Sequence, residues 1–381
     1  MMRENIRDLR VRADRFAAVA IPVAAVLLLL LFVGLAVWSA AQAGTLGFDF
    51  LSYDSAVRRF LGGGILYDQS FTETGAFGLF YYPPPFVLLA VPLTLLQPAA
   101  AAWAFTAILL VTFAAAVAVI PVSPRVRWVV LLLGGMSWPL VYAIKLGQVG
   151  PILLFLFAIG WRWMDRPWRI GTATAIGIAI KIQPALILGW ALLTGRRRAV
   201  LTGLAVFAVL AIAATIVAGP SSWIDQATLL ARVSKPIDTP HNYTPGRIAF
   251  EAGASQAVAW AVQIANWLLV AVVVLYAIRR TPPVASYLAV VIASQLISPI
   301  LWDHYALMLL LPVAWLLSRG QWWAIVIPLV TSVPLVGITP PVAYPVAFWV
   351  TLIAVVLAGR SEQHAYNSLF AAPRTLPRAS R

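Results

Sequence analysis

The sequence predicts an all-α polytopic membrane protein that crosses the bilayer about 12 times, within a range of roughly 11 to 13. Three observations carry this expectation. Hydrophobic residues fill 62% of the 381 positions and charged residues only 10%, too few to coat a soluble domain. Mean hydropathy is +0.89, and apolar runs recur from residue 16 to residue 359. The basic residues fall in short clusters between those runs, so the net charge of +14 reads as membrane topology and not as a nucleic-acid surface.

The first run, Phe16 to Ala41, follows an Arg-rich stretch and precedes Ala-Gln-Ala at 41–43, the layout of a secretory signal. It is too long for a signal core and long enough for the ~30 Å hydrocarbon layer, so it reads as an uncleaved anchor. Further segments are expected near 84–97, 99–121, 127–144, 148–161, 170–182, 184–195, 199–218, 255–278, 284–298, 304–318, 321–337 and 342–358. Several fall short of the ~20 residues of a straight span, so some must be broken, tilted or shielded by protein.

The basic clusters at 3–15, 162–169, 196–198, 279–280, 319 and 360–381 mark a cytoplasmic face. Simple alternation would put 162–169 opposite the N-terminus; a re-entrant or broken segment between 84 and 144 restores the parity. The resulting organisation is a cytoplasmic tail at 1–15, one membrane domain at 16–359 with outer loops at 43–82 and 219–254, and a cytoplasmic tail at 360–381. A bacterial-type cytoplasmic (inner) membrane is the expected location.

Acids gather on the other face: Asp49, Asp54, Asp68, Glu73, Asp225, Asp238, Glu251 and Asp303. Within 49–61, Phe50, Tyr53, Val57, Phe60 and Leu61 share one helical face, which predicts an amphipathic juxtamembrane helix lying on the membrane surface. Asp49 stands at its start and has two compatible readings, an N-cap for the first turn or a catalytic carboxylate. With no Cys, disulfides, thiol catalysis and Cys-ligated metals are excluded, and three His without paired spacing point away from a metal centre.

Six stretches carry a resemblance: "DFLSYDSAVRRFLGGGILYD" from Asp49, "YYPPPFVLLAVPL" from Tyr81, "LGQVGPILL" from Leu146, "KIQPALILGWALLTGRRR" from Lys181, "NYTPGR" from Asn242 and "SPILWDHYALMLLLP" from Ser298. In this order and spacing the chain resembles the polyprenol-phosphate-mannose-dependent mannosyltransferases of glycosyltransferase family 87, within the C superfamily of membrane glycosyltransferases. The resemblance implies a C-superfamily-like fold and transfer of a hexose, mannose, from a polyprenyl-phosphate donor to a lipid or glycan acceptor outside the cytoplasm. It also implies that the family's essential Asp in the first outer loop falls on Asp49, with a β-linked donor and an α-linked product. The family's Asn-Gln-Ser pattern falls, in a departure, on Asn242, Tyr243 and Thr244.

The chemistry agrees with a single base. A phosphate leaving group needs little protonation, so one carboxylate suffices where glycoside hydrolysis ordinarily takes two. Asp54 has a supporting role, with Arg58 one turn on. Lys181 and Lys145, the lysines of the hydrophobic segments, read as donor-phosphate ligands or as snorkelling interface residues, and Arg247 as a further phosphate ligand or a solvated loop arginine. His304 either shares the acceptor's proton or caps a helix beside Asp303.

Gln148 and Asn242 suit sugar hydroxyls. Tyr81, Tyr82 and Trp302 either stack on a sugar, with Asp303 near the acceptor, or belong to the interfacial aromatic belt. The expected partners are the lipid-linked donor, the acceptor and membrane lipids, with no nucleic acid, no metal and no cofactor. Two rival classes are weaker. A transporter would show repeats and midplane polar groups, and a lipid-linked glycan polymerase or ligase would need outer loops longer than these.

Overall fold

The computed structural model describes residues 2–338 and 340–371, with side chains within 16–338 and 340–363. Every regular element among the described residues is a helix, the structure that satisfies its own backbone groups in hydrocarbon. Among the described residues, five helices have the length and apolarity to cross a bilayer: Phe16–Gln42, Pro98–Val119, Arg197–Ala218, Gln256–Arg280 and Ala343–Gln363. A sixth span results if Pro124–Gly135 and Trp138–Leu146 are one element bent by 58°. Its break lies where Ser137 caps the second helix by accepting from Leu140 N and Pro139 contributes no donor. The bend itself, at 136–137, lies between 84 and 144.

Five or six such helices stand well short of about 12. The other apolar runs fold into short pieces, such as Gly150–Arg162 with 13 residues, Pro167–Ile180 with 14 and Ala185–Leu193 with 9. At 1.5 Å per residue, a helix of that kind reaches about 21 Å at most, below the ~30 Å of a hydrocarbon layer. Their apolar residues serve the interior. In Pro283–Leu296 every residue from Ala285 onward is buried, whereas Arg197–Ala218 turns Leu201, Val209 and Ile216 outward.

Small residues set how closely these helices approach. A Cβ on Gly171 would stand 2.6 Å from Ala199 O, and one on Gly160 would stand 2.2 Å from the Tyr287 hydroxyl, which donates to Phe157 O at 2.8 Å.

A helix runs over Phe48–Leu61, but the apolar stripe expected to lie on a membrane surface is covered by protein. Phe50 stacks on Phe105 at 4.5 Å, Tyr53 packs edge-on against Tyr82 at 4.6 Å, and Val57 is fully buried, so only Leu61 stays outside. The cap position belongs to Gly47, whose left-handed backbone (φ 71°) precedes the helix, and Asp49 lies inside the first turn with no capping bond. The N-cap reading of Asp49 is thereby corrected: a left-handed turn occupies the position a capping side chain would need.

The stretches 43–82 and 219–254 meet. Gln69 donates to Asp225 O at 2.9 Å, Gln226 donates to Tyr81 O at 3.5 Å, and Arg232 donates to Gln69 O. The helix Ser221–Val233 is thus laid beside the 62–85 loop. Among the basic clusters, Arg169 stacks on Trp163, Arg196 on Trp190 and Arg319 on Trp315, pairs suited to an interface. The basic side chains of 1–15 and 364–381 lie outside those described.

Gly160→Ala should lower stability by about 1–3 kcal/mol through overpacking, read as a lower unfolding temperature in detergent. Adding Tyr287→Phe should recover part of the loss. Gly34→Ala, whose Cβ meets nothing within 4 Å, should leave the transition in place.

Candidate functional site

Two glycine turns bring the central pair together. Gly47 donates its N–H to Lys145 O at 2.8 Å, clamping the start of the Phe48–Leu61 helix to the end of Trp138–Leu146. Facing it, Gly147 adopts φ 73°, and a Cβ there would fall 2.6 Å from Phe50 Cβ and 3.2 Å from Gly47 Cα. Only glycine combines that backbone with that approach. Asp49 follows one turn and Gln148 the other, and the Gln148 amide donates to Asp49 Oδ2.

Tyr82 fixes the far end of that amide, its hydroxyl donating to Gln148 Oε1 at 3.3 Å. The Tyr82 ring is itself stacked on Phe86 at 4.5 Å and is buried. Burial raises the Asp49 pKa above its ordinary 3.8, while the hydrogen bond from Gln148 and the positive fields of His304 and Lys181 pull it back.

Lys181 occupies the extended break between Pro167–Ile180 and Ala185–Leu193, with Pro184 at the mouth of the next helix. Its ammonium donates to the Tyr305 hydroxyl at 2.6 Å and stands 4.1 Å from that ring's centre. Tyr305 and His304 come from the 3₁₀ turn Asp303–Leu309. The buried Asp303 carboxylate accepts from Trp138 Nε1 at 2.7 Å and from His304 N at 2.8 Å. His304 Nδ1 lies 3.5 Å from Asp303 Oδ1, and neither ring nitrogen has a hydrogen-bond partner.

A cavity of about 490 Å³ opens beside these groups. Its polar end holds Tyr81, Tyr82, Lys181, Trp302 and Tyr305; its apolar wall holds Ile182, Leu186, Leu230, Ile297 and Ile300. A small inner chamber lined by Gln148, Lys181, Gln183, His304 and Tyr305 joins this end to the partner of Asp49. A lone cation at the head of an apolar pocket suits an anionic amphiphile, and a buried carboxylate one residue's reach away suits a proton acceptor.

Asp49, Tyr82, Gln148, Lys181 and His304 therefore converge, with Trp302 and Asp303 at the margins. Burial of Tyr82 removes it from any interfacial belt. Four other candidates are placed elsewhere. Lys145 contributes its carbonyl to the Gly47 clamp, and its side chain lines neither space. Arg247 pairs with Glu251 at 2.9 Å and donates to Ile237 O at 2.7 Å. The Asp54 carboxylate binds Arg58 at 2.6 Å, and that guanidinium donates to Thr94 O and Leu96 O, clamping two elements together.

Asn242 is the fourth. Its amide donates to Pro236 O and Pro299 O and accepts from Thr244 N and Leu301 N, which ties "NYTPGR" to "SPILW" and leaves nothing for a sugar. Gln183 and Tyr305 are site residues that sequence reasoning missed. Both lie within the stretches quoted above, but a neutral side chain in an apolar run carries no charge signal.

The model of glycosyltransferase family 87 matches residues 80–299. The chain is also 28% identical over 275 residues to a polyprenol-phosphate-mannose-dependent alpha-(1-2)-phosphatidylinositol mannoside mannosyltransferase of Mycobacterium tuberculosis, covering 65% of this chain and 63% of that protein. This is less than two thirds of the relative's length. No solved structure matches. The family match contains Tyr82, Gln148 and Lys181, while Asp49 and His304 lie beyond its two ends.

Asn242→Ala would strand several buried backbone groups and should cost about 3 kcal/mol, seen as a lowered unfolding temperature.

Proposed function

The chain belongs to glycosyltransferase family 87, and from that premise we propose that it moves a hexose from a polyprenyl-phosphate donor to a hydroxyl of a lipid or glycan acceptor on the extracytoplasmic face. The sugar is mannose by kinship with the mycobacterial relative. The observation that carries the reading is the pairing of a buried, hydrogen-bonded carboxylate with a lone lysine at the head of an apolar cavity.

In this mechanism Asp49 is the general base. Gln148 occupies Oδ2, and Oδ1 receives the acceptor proton as the acceptor oxygen attacks the anomeric carbon. The bond from that carbon to the phosphate oxygen breaks with its electron pair, giving a free lipid phosphate. A single displacement inverts the anomeric centre, β to α. Lys181 and the Tyr305 hydroxyl beside it meet the leaving phosphate, and the prenyl chain lies along Ile182, Ile297 and Ile300. Tyr82 acts at one remove: by holding Gln148 Oε1 it turns the amide's N–H toward Asp49.

Membranes containing the protein, given radiolabelled polyprenyl-phosphate mannose and a lipid extract of the native host, should move label into a new lipid. Asp49→Asn should reduce this transfer by about 100- to 10,000-fold while the unfolding temperature holds. Equal transfer by both proteins would remove Asp49 from the mechanism, and no transfer by either would direct attention to solute uptake.

The base must be ionised, so the rate should fall as pH drops through the raised pKa of Asp49, giving an acid limb above the ordinary 3.8. Gln148→Met deletes a bond that favours the carboxylate and should move that limb to higher pH. Lys181→Met should raise the donor KM at least tenfold, with partial retention in Lys181→Arg.

A further inference from the structure

We propose that the aromatic cluster beside His304, formed by Trp138, Tyr142, Tyr243 and Tyr344, is the acceptor subsite and that it takes a neutral sugar ring. The inference rests on the reading of Asp49 as the base. None of these four residues lines the cavity that holds Lys181.

Its rings come in two stacked pairs. Trp138 lies on Tyr142 with centres 4.8 Å apart and planes 14° apart, and Tyr243 lies on Tyr344 at 4.6 Å. Trp138, Tyr142 and Tyr243 are half-buried and so remain reachable, while Tyr344 is buried. The Tyr142 phenol is within electrostatic reach of Asp49, Asp303 and Tyr243 together, and its ring centre is 6.3 Å from that of His304. Tyr142 thereby links the proposed base to the rest of the cluster.

The polar atoms here lack partners in a way that selects the ligand. His304 Nδ1 faces the Asp303 carboxylate at 3.5 Å, but His304 Nε2 and the hydroxyl of Tyr344 are buried without a partner, an arrangement that calls for an external donor or acceptor. A sugar ring supplies both requirements at once, a C–H face for the aromatic rings and several hydroxyls for the unpaired atoms. A plain lipid alcohol would cover the rings and leave those atoms stranded. An anionic head would face the negative fields of Asp49 and Asp303 that reach Tyr142. The two substrates are thus assigned to different residues, the anionic lipid-linked one to Lys181 and the neutral polyol to Tyr142.

Saturation-transfer NMR on the full chain in nanodiscs, with no donor present, tests this directly. Hexyl mannoside and hexyl glucoside are the probes and hexanol the competitor. Saturation should reach the sugar-ring protons of at least one hexoside on the wild type and equally on Lys181→Met, and hexanol should not displace the glycoside. Trp138→Ala and Tyr142→Ala should reduce the ring signal at least fivefold. The double variant Tyr142→Phe/Tyr243→Phe, which keeps both stacks and removes two hydroxyls, guards against misfolding and should weaken the signal severalfold.

Ring saturation unchanged in all these variants, no ring saturation on the wild type, or displacement by hexanol would overturn the assignment. Because no donor takes part, a protein that binds the hexoside through Tyr142 yet transfers nothing would refute the proposed reaction and leave the subsite standing. Transfer that proceeds normally in Trp138→Ala and Tyr142→Ala would refute the subsite and leave the reaction.

Discussion

The site depends on the crossing of two glycine turns. Gly47 and Gly147 touch backbone to backbone, and the bond from Gly47 N to Lys145 O holds them there. Asp49 stands two residues from Gly47 and Gln148 one residue from Gly147. A methyl group at 147 would meet Phe50 at 2.6 Å and separate the strands of chain that carry the pair. A carboxylate aligned by one hydrogen bond tolerates little of that movement, because base and substrate must meet within a fraction of an ångström.

Short interior helices explain how so many polar groups reach one place. Gln148 precedes Gly150–Arg162, Lys181 follows Pro167–Ile180, and Asp303 opens the turn after Pro283–Leu296. A helix long enough to span a bilayer carries its ends apart to the two interfaces. Helices of 13 or 14 residues stop early and deliver their irregular ends into the protein. Backbone of that kind is tolerated in a membrane protein only where other protein or a polar cavity covers it, and both spaces at this site meet that condition. The feature that lowers the number of span-length helices is the same one that assembles the site.

That relation accounts for what the sequence made legible. Helical class and a helix over 49–61 follow from composition and spacing, because those patterns are local. The number of crossings does not, since an apolar run facing lipid and one facing other helices look alike; Arg197–Ala218 and Pro283–Leu296 have similar composition and opposite surroundings. Asp49, Lys181 and His304 stand out as rare ionisable residues in a chain with 10% charge. Arg247 stands out equally, and Asn242 as a polar amide, yet each spends its hydrogen bonds on the protein, a fact only partners in space reveal. Tyr305 carries no charge and emerges only through Lys181.

The proposed reaction also fits the charge balance of a partly dry site. A phosphodiester donor carries one negative charge and the lipid phosphate it releases carries close to two at neutral pH, while Asp49 goes from charged to neutral as it accepts the proton. The total does not change; one unit of negative charge moves from Asp49 to the phosphate. In a low-dielectric region a change of net charge would be strongly opposed, but a transfer toward a waiting cation is favoured. Lys181, whose pKa burial pushes down, serves as that cation in its protonated form, and the hydroxyl of Tyr305 accepts from its ammonium. Such preorganisation matters most for the group farthest from the base, because the phosphate ends the reaction with more charge than it began with. On this argument Asp49 governs whether the acceptor can attack, and Lys181 governs where the displaced charge settles.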